Sequence, residues 1–222
     1  MVSKIMMLDW RATLSLAKWV FIAYPAVVFC FGFITSQMLV VPISMWLSAL
    51  YTFKAFQVEE EVGLSHLYLT LPVSRSQIVK ARYGFALIMM VFGIIMGLAV
   101  MPVVRYFSRS MWYIQFEGHV AVAAVGALCF AVLILSMYPL LFKLGYQKGK
   151  IIGLFIPVGV FYAAIFGYYI YMISGSRNIT LDFVSFASRN VIAVSGGLLV
   201  LAVLIFLLSY VLSLRAYTRR DL

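Results

Sequence analysis

Residues 54–82 read KAFQVEEEVGLSHLYLTLPVSRSQIVKAR, a polar interval in a chain that is otherwise almost continuously apolar. Three consecutive acids, Glu59, Glu60 and Glu61, lead to Gly63 and an apolar run from Leu64 to Leu71, which Pro72, Val73, Ser74 and Arg75 close. Ser74 and Gln77 have capping-box spacing and Val73 and Ile78 have hydrophobic-staple spacing. A helix is therefore predicted to begin at Arg75 and continue into the next apolar segment. Pro72 ends whatever helix precedes it. Between Gly63 and Pro72 there is room for about two helical turns, roughly 12 Å. This small protrusion could enter a socket, and it lies in the one interval polar enough to meet a soluble partner.

The composition sets that interval at the edge of a bilayer. Of 222 residues, 65% are hydrophobic and 11% charged, against about half and about a quarter in soluble domains. No composition shift marks a second domain, so residues 1–222 read as one transmembrane domain. Six apolar stretches, about 19–36, 38–53, 83–103, 119–142, 151–173 and 191–214, each approach the roughly 20 residues that cross about 30 Å of hydrocarbon. The predicted fold class is an all-α membrane protein of six transmembrane helices, with residues 54–82 as a polar connection between the second and third. The second stretch is short, and Pro42 suits its first turn. Only a residue or two separates it from the first, which makes a tight hairpin. Ahead of them, Lys4, Arg11 and Lys18 recur every seven residues, with Val2, Met6, Trp10 and Ala17 toward the other side. That pattern predicts an amphipathic interfacial helix over residues 1–18. No small-residue cleavage site follows, which argues against a signal peptide.

A net charge of +10 raises the question of nucleic acid. The basic residues are dispersed between apolar stretches, so they report topology, and no nucleic-acid partner is expected. Arg105, Arg109, Arg177 and Arg189 fall on one side, and the other 13 of the 17 Lys and Arg fall on the opposite side. By the positive-inside rule both termini, the 54–82 interval and the 143–150 loop are expected in the cytoplasm. The outer connections, 104–118 and 174–190, are rich in aromatics that favour the interface. All seven acids lie outside the six stretches, and no Lys or Arg lies well inside one. Ion-driven transporters and intramembrane proteases need ionisable groups at depth. His66 and His119 are too far apart in the topology for a metal pair, and Cys30 and Cys129 read as packing residues, so no metal site is expected. No phosphate-binding loop is present, so the chain is not expected to be an enzyme or to hydrolyse ATP. Energy for uphill transport would have to enter from another protein.

Gly93 with Gly97, and Gly149 with Gly153, have the spacing that lets helices approach closely, either within the bundle or between two copies. Tyr162 and Tyr168, with Tyr169 and Tyr171, offer apolar bodies with polar tips. They could line a path for an amphipathic substrate or anchor the fifth stretch at the interface.

The order of acids, short apolar segment, Pro stop and capped helix resembles the loop between the second and third spans of bacterial type-2 ABC exporter permeases, including those that export peptides and toxins. Glu59, Glu60, Leu64, Leu67, Leu71, Pro72, Val73, Ser74, Arg75, Ile78, Val79, Lys80 and Tyr83 carry the pattern. A second loop, with Tyr138, Pro139, Leu140, Phe142, Lys143, Gly145, Tyr146, Lys148 and Lys150, is similar to theirs, as is the closing Arg220-Asp221-Leu222. The resemblance implies a partner ATPase in the cytoplasm that binds ATP and Mg, and a second permease copy, the same or different. It makes the stretch from about Gly63 to Leu71 a coupling helix, with Glu59, Glu60, His66 and Arg75 as polar contacts to the ATPase. It also implies the bacterial cytoplasmic membrane as location and an amphipathic cargo such as an antimicrobial or cytolytic peptide. The alternatives are a membrane anchor or immunity protein that works without ATP and, less well supported for want of intramembrane charge, a secondary transporter.

Overall fold

The protein is described here by a computed structural model over residues 6–7, 10, 23–34, 39–62, 74–108, 116–153, 155, 159 and 189–218. The helices are α1 (Ala23–Ile34), α2 (Val40–Val62), α3 (Arg75–Ser108), α4 (Phe116–Leu144), α5 (146–153) and α6 (Val191–Thr218). Among the described residues, three helices are long and apolar enough to cross a membrane: Arg75–Phe107 of α3, Glu117–Leu144 of α4, and α6. The expected fifth stretch, with Tyr162 and Tyr168, lies mostly outside the described residues. So do most of residues 1–18 and all of residues 63–73, with Gly63, His66, Leu67, Leu71 and Pro72.

Local chemistry sets the helix ends. The Ser74 carbonyl accepts the amides of Gln77 at 2.9 Å and Ile78 at 3.4 Å, and Gln77 Oε1 accepts the Ser74 amide at 3.2 Å. Helix α3 thus begins at Arg75, as the capping-box spacing predicts. The other half of the box differs, because Ser74 Oγ pairs with Ser76 Oγ at 3.1 Å instead of reaching into the first turn. Gly145 ends α4 with φ 81°, a conformation that favours glycine. Its amide bonds the Leu141 carbonyl at 3.0 Å while its own carbonyl accepts the Gly149 amide at 3.0 Å, so α5 starts at once.

Helix α2 was expected to give way to a polar connection after Phe53, yet it continues to Val62 through the acidic triplet. Lys54 Nζ donates to Gln57 Oε1 at 2.9 Å and Gln57 Nε2 donates to Glu61 Oε1 at 2.7 Å. These i,i+3 and i,i+4 links support a helix whose exposed face is polar. The fifth stretch likewise starts earlier than hydropathy suggested, at residue 146.

The least apolar of these long helices, α2, is packed against both α3 and α4. Ser44, Ser48 and Thr52 line one side of α2 and are all fully buried. Each hydroxyl has a partner: Ser44 donates to the Gly93 carbonyl at 2.7 Å, Ser48 to Met45 at 2.8 Å and Thr52 to Ala49 at 2.7 Å. A helix shielded from lipid by its neighbours can carry such groups once they are satisfied. The GxxxG of α3 supplies the close approach, since a Cβ on Gly97 would lie 2.8 Å from Val41 Cα and one on Gly93 3.1 Å from Met45 Cα. Gly149 and Gly153 do the same for α5 against Leu141 and Met137 of α4. Both small-residue pairs therefore serve packing within the chain. Helix α6 packs chiefly on α4 and leaves Ile192, Val200, Val203 and Leu204 exposed. Trp10 packs edge-on to Phe85 at 6.2 Å and Met6 lies beside Gly84, so two residues from the apolar side of the expected interfacial helix face α3.

Candidate functional site

At about 1.5 Å per residue, the 34 residues of α3 span roughly 50 Å, more than the hydrocarbon requires. Helix α2 runs antiparallel to it. The register that sets Gly97 against Val41 and Gly93 against Met45 brings Arg82 opposite Glu59, near the end where the 63–73 segment joins the two helices. Arg82 is the largest fully buried side chain among the described residues. Its Nη2 bonds Glu59 Oε2 at 2.9 Å, and its guanidinium lies 4.7 Å from the Phe56 ring centroid. Removing the carboxylate costs about 3–5 kcal/mol, because the buried guanidinium loses its counter-charge where water has little access, whereas Glu59, 18% exposed, loses less when Arg82 is removed. The aromatic face adds to the preference for arginine over lysine.

The next acid makes a different connection. Glu60 Oε2 accepts the backbone amides of Tyr146 at 2.5 Å and Gln147 at 3.3 Å, which are the first amides of α5. A carboxylate at a helix N-terminus satisfies otherwise orphaned donors and complements the helix dipole. Glu60 is exposed, so the contact contributes about 1 kcal/mol, as an ordinary cap does. Beside it is an open cavity of about 360 Å³ lined by Gln57, Glu60, Glu61, Tyr146, Gln147, Lys150 and Ile151. Burial pushes the Tyr146 hydroxyl pKa up, and the charges of Glu61 and Glu60 add to this. That hydroxyl donates to Gln57 Oε1 at 3.3 Å, and Lys150 Nζ sits 5.0 Å from the Tyr146 ring.

On the far flank of the segment, Arg75 Nη1 donates to the carbonyls of Thr218 at 3.1 Å and Tyr217 at 3.3 Å. It thereby caps the C-terminus of α6, where a cation is favoured. The two flanks of residues 63–73 together hold the ends of α3, α5 and α6.

Below these contacts lies an aromatic cluster centred on Tyr138. Its ring meets Phe56 at 5.1 Å and Tyr83 at 5.0 Å, while Phe56 meets Phe142 at 4.9 Å and Phe142 meets Tyr217 at 5.2 Å. Tyr83 shares its hydroxyl with Ser209 at 2.6 Å and Ser213 at 2.8 Å of α6, and Ser209 donates to the Ile134 carbonyl at 3.2 Å. The two loop motifs that are far apart in sequence meet here through Tyr83, Tyr138 and Phe142. Of the residues singled out from sequence, Glu59, Glu60, Ser74, Arg75, Gly145 and Tyr146 sit around this end with partners inside the chain, and Lys143 and Lys148 are exposed. Gly63 lies outside the described residues. Sequence reasoning missed Arg82 and Phe56, because Arg82 reads as one more basic residue flanking a span. The nearest signal was its position beside Tyr83, at the base of an apolar stretch.

Long apolar helices packed with a helix whose buried hydroxyls are satisfied, and a charged junction at one end, define a multi-pass helical membrane protein. The family model for ABC-2 family transporter proteins matches residues 7–218, and the chain belongs to that family. It is accordingly a transmembrane subunit of an ABC transporter, a class that works with an ATPase. No curated protein and no solved structure matches the chain.

Proposed function

We propose that this chain is the membrane subunit of an exporter in the bacterial cytoplasmic membrane, powered by ATP and Mg bound to a separate ATPase. The chain itself carries out no hydrolysis. The ATPase seats on the segment from Gly63 to Leu71 on the cytoplasmic side, with His66, Leu67 and Leu71 on the contacting stretch. Lys143 and Lys148 form a second, basic surface nearby. Two permease copies enclose the path, and the cargo is an amphipathic molecule, best matched by a cytolytic or antimicrobial peptide. Tyr162 and Tyr168 contribute to that path.

The observation that carries the reading is the convergence at 63–73. A push on that segment reaches α3 through Arg82, α5 through Glu60 and α6 through Arg75. An anchor or immunity protein has no need for such a junction. Purification in mild detergent from the native host tests it, with an ATPase expected to accompany the chain at equal stoichiometry. Cargo should then stimulate ATP hydrolysis in reconstituted vesicles. Recovery of the chain with cargo bound and no ATPase would overturn the reading in favour of the anchor.

A further inference from the structure

Glu59 and Glu60 are neighbours, yet their contacts differ in kind. Glu59, 18% exposed, meets a fully buried guanidinium that also lies over Phe56, so the arginine side of the pair is shielded from water. Glu60 meets two amides at an exposed helix start beside an open cavity, where water can replace it at once. Two tightly closed helix pairs stand on either side of this second contact. Helices α2 and α3 are zipped through Gly93, Gly97 and the Glu59–Arg82 pair. Helices α4 and α5 are zipped through Gly149 and Gly153 and turn about Gly145. Between the pairs at this end lie the aromatic rings, whose ring contacts tolerate sliding, and a few polar links that do not: the long Tyr138 hydroxyl–Arg82 carbonyl contact at 3.5 Å, the Tyr146 hydroxyl–Gln57 bond at 3.3 Å and, shortest of them, the Glu60 contact to the first amides of α5.

We propose that these neighbouring acids form a fixed joint and a release. The Glu59–Arg82 pair keeps α2 and α3 together as one lever, and displacement of that lever is expressed as Glu60 leaving the N-terminus of α5. Glu59 and Arg82 are thus positioning residues, and the weaker contact is the one that yields. The proposal rests on the exporter reading for the source of the displacement.

Spin-label distances test it in the reconstituted complex with the partner ATPase, with and without a non-hydrolysable ATP analogue. Cys30 and Cys129 are first replaced by serine. The Lys54→Cys/Lys80→Cys pair reports α2 against α3, and Lys54→Cys/Lys148→Cys reports α2 against α5. The first distance is expected to hold within about 1 Å on nucleotide binding, and the second to shift by more than about 2 Å. In parallel, Glu59→Gln and Arg82→Gln should each lower cargo-stimulated ATP hydrolysis about tenfold or more. The charge swap Glu59→Arg with Arg82→Glu should recover most of the loss, which a residue serving bulk packing alone would not show. A moving first distance, a static second one, or a swap that folds with wild-type thermal stability but stays uncoupled would overturn the proposal. Failure of the unmodified chain to bind any ATPase would instead sink the exporter reading, and with it the driver of the lever.

Discussion

Replacing Gly97 by alanine sets a methyl group 2.8 Å from the Cα of Val41 and 3.1 Å from its Cγ2. The first of these atoms is backbone, so no rotamer change relieves the clash, and α2 and α3 must separate by several tenths of an ångström. The separation also stretches the Ser44–Gly93 hydrogen bond of 2.7 Å, one turn away. Overpacking of this kind costs about 1–3 kcal/mol, and a weakened interhelical bond in a membrane protein adds about 0.6 kcal/mol. We expect Gly97→Ala to destabilise the chain by about 2 kcal/mol in equilibrium unfolding in mixed micelles. Gly196→Ala is the matched control, because nothing lies within 4 Å of its Cβ. The same helical gain in propensity there should leave the chain about 0.5 kcal/mol more stable. Equal effects at the two positions, or a neutral Gly97→Ala, would refute the packing of the α3 glycines against α2.

Two further substitutions probe the polar end. Gly145→Ala forces a side chain into a backbone conformation with φ 81°, at about 1–2 kcal/mol; hydrogen exchange should show faster opening of the first turn of α5, with Gly145→Asn milder. Tyr83→Phe removes the hydroxyl shared by Ser209 and Ser213. It should lower stability by about 1 kcal/mol, and Ser213→Ala should cost less in that background than in the unmodified chain.

Much of the architecture was legible one segment at a time. The start of α3 at Arg75 follows from Ser74 and Gln77, and the apolar character of α3, α4 and α6 follows from their hydropathy. A connection at residues 143–150 between two apolar stretches was also legible, although the structure narrows it to a break at Gly145. Helix α2 was harder, because its serines, threonine and acids lower its hydropathy. Only the surrounding helices make that composition tolerable, so its extent through Glu61 could not be inferred from its own residues. The role of the acids was also hidden. A run of three looks like a solvated surface, whereas Glu59 faces inward to Arg82 and Glu60 outward to α5.

The chain's own residues determined that it belongs in a bilayer, where α3 begins and which end is charged, because hydropathy, caps and stops act over a few neighbouring positions. Tertiary structure alone decided that the α3 glycines meet α2, that Arg82 is buried against Glu59, and that two distant loop motifs share one aromatic cluster. Each of those depends on the antiparallel register of packed helices. That register is set by how closely backbones approach at Gly93 and Gly97, and it joins residues too far apart in sequence for any local pattern to pair.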